Sequence, residues 1–109
     1  MVYRSRNRIV ADILEVARKK GWKGALLTEI IYGANLNFTQ AKTYIDSIVS
    51  PSVRMLDEIP VSNRLRAEKA YRINDEGRRY LNSYEFNLKK IREVEEVMDS
   101  IKKSRLVRP

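Results

Sequence analysis

Apolar positions recur along this chain in two rhythms, one helical and one strand-like. Between Asn7 and Lys20, the residues Ile9, Val10, Ile13, Leu14, Val16 and Ala17 fall at helical spacing and make one apolar face. Arg18, Lys19 and Lys20 suit the negative end of that helix's dipole, and Gly21 stops it, so the pattern predicts a first helix over 7–20. A second, short helix begins at Thr28, has Glu29 in its first turn and ends at Gly33, read as the turn residue able to take positive φ. Asn37 and Gln40 stand three residues apart, a capping-box spacing that starts a third helix. In that helix Phe38, Ala41, Ile45, Ile48 and Val49 fall on the side predicted to pack on the core. Pro51 cannot continue the helix, and Ser50 before it is pushed out of the α region. The rhythm then changes. Residues 53–59 and 70–73 read as strands, with a polar loop over 60–69 between them. Asn74 caps a last helix running from Asp75 to about Arg105.

The second and third helices, joined by a few residues that include glycine, form a helix-turn-helix unit. A β-hairpin after such a unit is a wing. The outward side of the third helix carries Thr39, Gln40, Thr43 and Ser47, with Lys42 and Tyr44 on its flanks. A helix face meant only for solvation usually carries Glu and Lys. Short neutral donors and acceptors instead suit base edges in the major groove, so these four residues are the candidate base contacts. The plainer reading is an ordinary three-helix packing unit with a polar outer face.

Composition narrows the partners. The 109 residues suffice for one modest core, 43% are hydrophobic and 33% charged, and the net charge is +8. That balance favours polyanions. The charge is uneven, with 13 Lys and Arg against 7 Asp and Glu through residue 74, and 9 against 7 from residue 75. Cysteine and histidine are absent, which removes disulfides, thiolate chemistry, the usual neutral-pH base and the commonest metal ligand. No enzyme, metal or cofactor is expected. No apolar run approaches a membrane span and the N-terminus lacks a signal-peptide pattern, so the expected location is the cytoplasm, with the nucleoid.

Further cations suit phosphates. Arg4, Arg6 and Arg8 alternate near the N-terminus, where positive charge opposes the helix dipole, so phosphate contact competes with a frayed terminus as their explanation. The wing loop holds Arg64, Arg66 and Lys69. With Lys42 and Tyr44, these are the candidate backbone contacts. Trp22, the only tryptophan, is expected to cap the edge of the core, and no aromatic platform for stacking RNA bases is evident.

In the last helix Leu81, Tyr84, Leu88, Ile91, Val94, Met98 and Ile101 recur at steps of three or four, close to the coiled-coil period. Its first part can pack on the preceding domain. The distal stripe has no partner left in the sequence, so Tyr84, Leu88, Ile91, Val94, Met98 and Ile101 are assigned to a dimer interface with a second copy. The domain division is 1–74 for the DNA-binding unit and 75–109 for the long helix.

The segments Ile31-Tyr32-Gly33-Ala34-Asn35-Leu36-Asn37-Phe38-Thr39-Gln40, Tyr44-Ile45 and Tyr71-Arg72-Ile73-Asn74-Asp75-Glu76-Gly77-Arg78-Arg79-Tyr80-Leu81 carry a family resemblance. The chain resembles the small crenarchaeal winged-helix DNA-binding proteins with a long C-terminal helix, the Sulfolobus "ten-a" chromatin proteins among them. The resemblance spans most of 7–100. It implies a mainly α fold with a small β-hairpin, a winged helix-turn-helix plus a long C-terminal helix forming a dimeric antiparallel coiled coil. It also implies double-stranded DNA as partner and an archaeal or archaeal-virus source. Ser50-Pro51-Ser52 departs from the glycine-containing turn usual there, and the wing reads as longer than usual.

The expected function is therefore that of a homodimeric double-stranded DNA-binding protein, a transcription regulator or chromatin-associated protein, with no membrane partner and no evident small-molecule effector. The alternative is a protein-interaction module whose winged helix and long helix bind a partner protein.

Overall fold

A computed structural model describes residues 4–62 and 67–107. The element order is α1 (Arg6–Lys20), β1 (Ala25–Leu26), α2 (Leu27–Gly33), α3 (Phe38–Val49), β2 (Leu56–Ser62), β3 (Ala67–Ile73) and α4 (Asp75–Val107). A short 3-10 turn, Gly21–Lys23, links α1 to β1. The three strands form one antiparallel sheet in the order β1-β3-β2.

The apolar rhythm closes a single core. Ile13, Leu14 and Ala17 of α1, Ile30 of α2, Ala41, Ile45 and Ile48 of α3, Leu56 and Tyr71 from the sheet, and Leu81 of α4 are all buried in it. Burial of Tyr71 pushes its phenol above the ordinary value. The first turns of α4 pack on α1. Asn74 Oδ1 accepts from Gly77 N–H at 3.0 Å, which caps α4 as the sequence predicts. Beyond Leu88 every described side chain of α4 is exposed. The helix therefore projects, and the chain measures 75 × 30 × 23 Å.

Several expectations change. α2 begins at Leu27 rather than Thr28, because Glu29 reaches back to accept from Leu26 N–H at 2.9 Å. Gly33 ends α2, as predicted, but without a positive φ. The left-handed residue of the turn is Asn35, φ 53°, a residue type that tolerates this region. Glycine is needed at 33 for proximity, since a Cβ there would stand 2.6 Å from Val16 Cγ2. A third strand, β1, lies in the segment read as a plain link, pairing Ala25 with Tyr71 and Leu26 with Ala70.

β2 starts at Leu56 rather than 53. After Ser50 the backbone turns through Val53 and Arg54, both of whose N–H groups donate to Ser50 O, and Arg54 takes φ 41°. The strands also run further than predicted, to Ser62 and from Ala67, so the wing connection is shorter than the expected 60–69 loop. Trp22 does not cap the core. It is 78% exposed, on a turn none of whose residues is buried. The result is a helix-turn-helix followed by a β-hairpin and a long helix, a winged-helix arrangement mostly made of helix.

Candidate nucleic-acid interface

α3 starts from a complete capping box. Asn37 Oδ1 accepts from Gln40 N–H at 2.7 Å, and Gln40 Oε1 accepts from Asn37 N–H at 3.1 Å. This fixes the entry angle of the helix and leaves the Gln40 amide NH2 outward. Thr39, Gln40, Thr43 and Ser47 are all exposed, within an arc of about 100° at the helical repeat. Ser47 Oγ donates back to Thr43 O at 3.0 Å, so its remaining capacity toward a ligand is as an acceptor. The four neutral hydrogen-bonding side chains thus share one solvent face.

The flanks are less uniform than the sequence pattern implied. Lys42 is exposed, 3.5 Å from Asp46 Oδ1, which puts one carboxylate on this face. Tyr44 is half-buried against the core, leaving only part of the ring for contact. Phe38, expected on the core side, is 61% exposed, since as the first helical residue it has no preceding turn to cover it. Tyr32, near the end of α2, is 86% exposed.

The N-terminal arginines divide. The Arg4 guanidinium donates to Ala34 O at 2.6 Å, Asn35 O at 2.7 Å and Asp12 Oδ2 at 2.8 Å, tying the chain start to the helix-turn-helix turn. Arg8 pairs with the other Asp12 oxygen at 3.1 Å, and that carboxylate holds its pKa above the ordinary value. Arg6 is exposed. The structure therefore gives Arg4 a structural task and leaves Arg6 in solvent.

At the wing, Lys69 is exposed at the base of β3 with its Nζ 3.4 Å from Glu58. Arg64 and Arg66 lie outside the described residues. Arg72, exposed on β3, and Arg54, exposed in the turn before β2, are cations not singled out by the sequence reading. Both fall within the predicted strands, 53–59 and 70–73, where a lone cation is read as the solvent side of a strand. Among the described residues, no group of three or more carboxylates is placed to hold a metal ion, and no helix is long and apolar enough to cross a membrane.

The six residues assigned to a dimer interface fall in two sets. Tyr84 and Leu88 are half-buried, lining a groove with Arg8, Ala11 and Asp12 of α1. Ile91, Val94, Met98 and Ile101 are each about half exposed, from 48% to 56%, and Val97 beside them is 59% exposed. The sequence reading omitted Val97 because it falls between the steps of the stripe.

These features agree with what the chain is similar to. The sequence profile of the winged helix-turn-helix family matches residues 3–98. No curated protein matches the sequence. Among solved structures, Sso10a-2, a DNA-binding protein from Sulfolobus solfataricus, superposes with a TM-score of 0.72 at 24% identity, over 97% of this chain and 99% of that one.

Proposed function

This chain belongs to the winged helix-turn-helix family, and on that premise we propose that it binds double-stranded DNA as a homodimer, acting in transcription regulation or chromatin organisation. The observation that carries the reading is the α3 face, four exposed neutral hydrogen-bonding side chains on a helix whose entry is fixed by its capping box. In the proposal Thr39, Gln40, Thr43 and Ser47 meet base edges. Lys42, Lys69 and Arg6 meet phosphates, together with the wing's Arg64 and Arg66. Arg4 acts from behind, by holding the turn that sets the angle of α3. The DNA-binding description of Sso10a-2, a protein of the same fold, supports this reading. The net charge of +8 supplies the long-range attraction.

The test is fluorescence anisotropy of a labelled random duplex titrated at several salt concentrations. The expected result is binding whose affinity falls steeply with salt, by about 0.9 log unit per log unit of salt for each phosphate neutralised. Arg64→Ala with Arg66→Ala is expected to flatten that slope by about one unit per lost contact. Absence of binding by the folded protein at low salt would leave the protein-interaction reading, with α4 as the first surface to examine.

A further inference from the structure

The cluster at the other edge of the sheet takes no part in the reading above. β1 is one edge strand and β2, against which α3 packs, is the other. The turn leading into β1 holds Trp22, 78% exposed, between Gly21 and Lys23. Lys19 and Lys20 close α1 immediately before it.

This turn is a fixed support. Gly21 at φ 64° and Gly24 at φ 76° bracket it, and Gly24 N–H donates to Gly21 O at 3.1 Å. Gly24 is buried so closely on β3 that a Cβ would stand 3.1 Å from the Tyr71 backbone and 3.2 Å from Ala70 Cβ. The indole is thus held out in water on a braced turn. Nothing among the described residues gives it a packing role.

Lys23 and Gly24, which follow Trp22 in the chain, line an open groove of about 500 Å³, with Leu26, Val61 and Ala70 completing its apolar part and Lys19 and Lys20 joining Lys23 in its polar wall; the indole stands outside this lining. Among the described residues the one carboxylate in that wall, Glu29, is engaged by Leu26 N–H and by an ion pair with Lys20. Lys19 and Lys23 make no ion pair among the described residues. Lys23 links the two, so this edge offers a flat π-face on the turn and, next to it along the chain, a groove with positive charge and an apolar floor.

We propose that Trp22 and the groove walled by Lys19, Lys20 and Lys23 form a second nucleic-acid site, one that takes unpaired nucleotides. A base stacks on the indole while the flanking phosphates meet the lysines. An exposed aromatic beside a cationic groove is the physical basis of single-strand binding, since every base has a π-face. In duplex DNA the bases are already stacked on one another, so duplex offers the lysines phosphates but gives the indole no face. The proposal is independent of the α3 reading. It holds or fails whether or not α3 binds duplex.

Trp22 is the only tryptophan, so fluorescence excited at the red edge, where indole absorbs and the 6 tyrosines do not, reports on this site alone. The experiment titrates the full chain with oligo(dT), oligo(rU) and an abasic oligodeoxynucleotide of equal length, about 12 nucleotides, within the usual range for single-strand sites. The expected result is strong quenching by at least one of the two base-bearing oligomers and little by the abasic strand at equal phosphate concentration. The relative strength of oligo(dT) and oligo(rU) tells DNA from RNA as the preferred strand. A Trp22→Ala variant, read by anisotropy of the labelled oligomer, is expected to bind it roughly tenfold more weakly. Its duplex affinity should stay within about twofold, by the same arithmetic. Lys19→Ala with Lys23→Ala should weaken base-bearing and abasic strands alike. Equal quenching by the abasic strand, no quenching by any oligomer, or unchanged single-strand affinity in Trp22→Ala overturns the proposal. Loss of duplex and single-strand binding together in Trp22→Ala would overturn it as well, by merging this surface with the duplex site.

Discussion

Gly77 sits where the first turn of α4 meets the segment before β2. A Cβ there would stand 2.3 Å from the Met55 carbonyl oxygen and 2.7 Å from Ile73 Cγ1. The obstacle is backbone, which cannot rotate aside. Gly77→Ala is therefore expected to lose about 1–3 kcal/mol by overpacking, outweighing the gain of up to about 1 kcal/mol from better helix propensity. A lowered melting temperature checks this, and a raised one would show that α4 shifts freely on the domain. Glu29 makes a second residue-scale prediction. The Leu26 N–H bond and then Lys20 hold its carboxyl below the ordinary value of 4.5. The folded state therefore favours the charged form, and that stabilisation is present above pH 4.5 and lost as pH falls through the lower folded value. Glu29→Gln should be less stable than the natural chain near neutral pH, with the gap narrowing below pH 4.5 in chemical denaturation. A gap independent of pH would mean that Glu29 acts through shape alone. Residue types were legible here and their reasons less so. Gly33 announced a special position, but closeness to Val16 and positive φ leave the same letter in a sequence. Trp22 read as a packing residue because exposure is a tertiary property, set by a turn braced on β3.

At the scale of elements, the helices were written in the sequence because each carries a period, a cap and a stop. α1, α3 and α4 lie within two residues of where the pattern put them. Strand ends were less legible. β1 has two residues, too few to show alternation, and exists because β3 offers Ala70 and Tyr71 as partners. Pro60, read as the start of the polar loop, lies in β2, an edge strand, where a missing donor is tolerated. The polar face of α3 was legible, whereas the engagement of Gln40 in its own capping box changes how that face must be tested. Gln40→Ala would remove the side-chain half of the capping box and the amide donor together, leaving the Asn37 cap on the backbone N–H of residue 40. Gln40→Glu keeps an oxygen for Asn37 N–H and replaces the outward NH2 by an acceptor. The expected outcome is a melting temperature close to that of the natural chain. On duplexes varied at one position, preference should shift away from adenine and toward cytosine, by about 1–3 kcal/mol for a well-made bidentate contact. An unchanged preference at unchanged stability would remove Gln40 from the base contacts.

The whole molecule is dominated by α4, whose 33 residues span about 50 Å at the helical rise. Its distal apolar positions are spaced for a seam and have no cover within the described chain. Ile91, Val94, Met98 and Ile101 step by three, four and three. If two copies pair antiparallel, one register satisfies all four at once, with Ile91 opposite Ile101 and Val94 opposite Met98 of a second copy. A parallel pair would instead set each residue against itself. The seam covers only about 15 Å of helix, so a stable pair needs contact beyond these four positions. Ile91→Asp should give monomers by light scattering and a melting temperature no longer dependent on concentration. The absence of native cysteine permits a sharper test of direction. In the antiparallel register, Val94→Cys chains mixed with Met98→Cys chains form disulfide-linked pairs on mild oxidation, because their Cβ atoms approach within bonding range across the seam. Each variant alone stays largely uncrosslinked. Rapid self-crosslinking of each variant would instead establish a parallel pair. The two winged domains would then lie at the same end of the rod, where an antiparallel pair holds them at opposite ends.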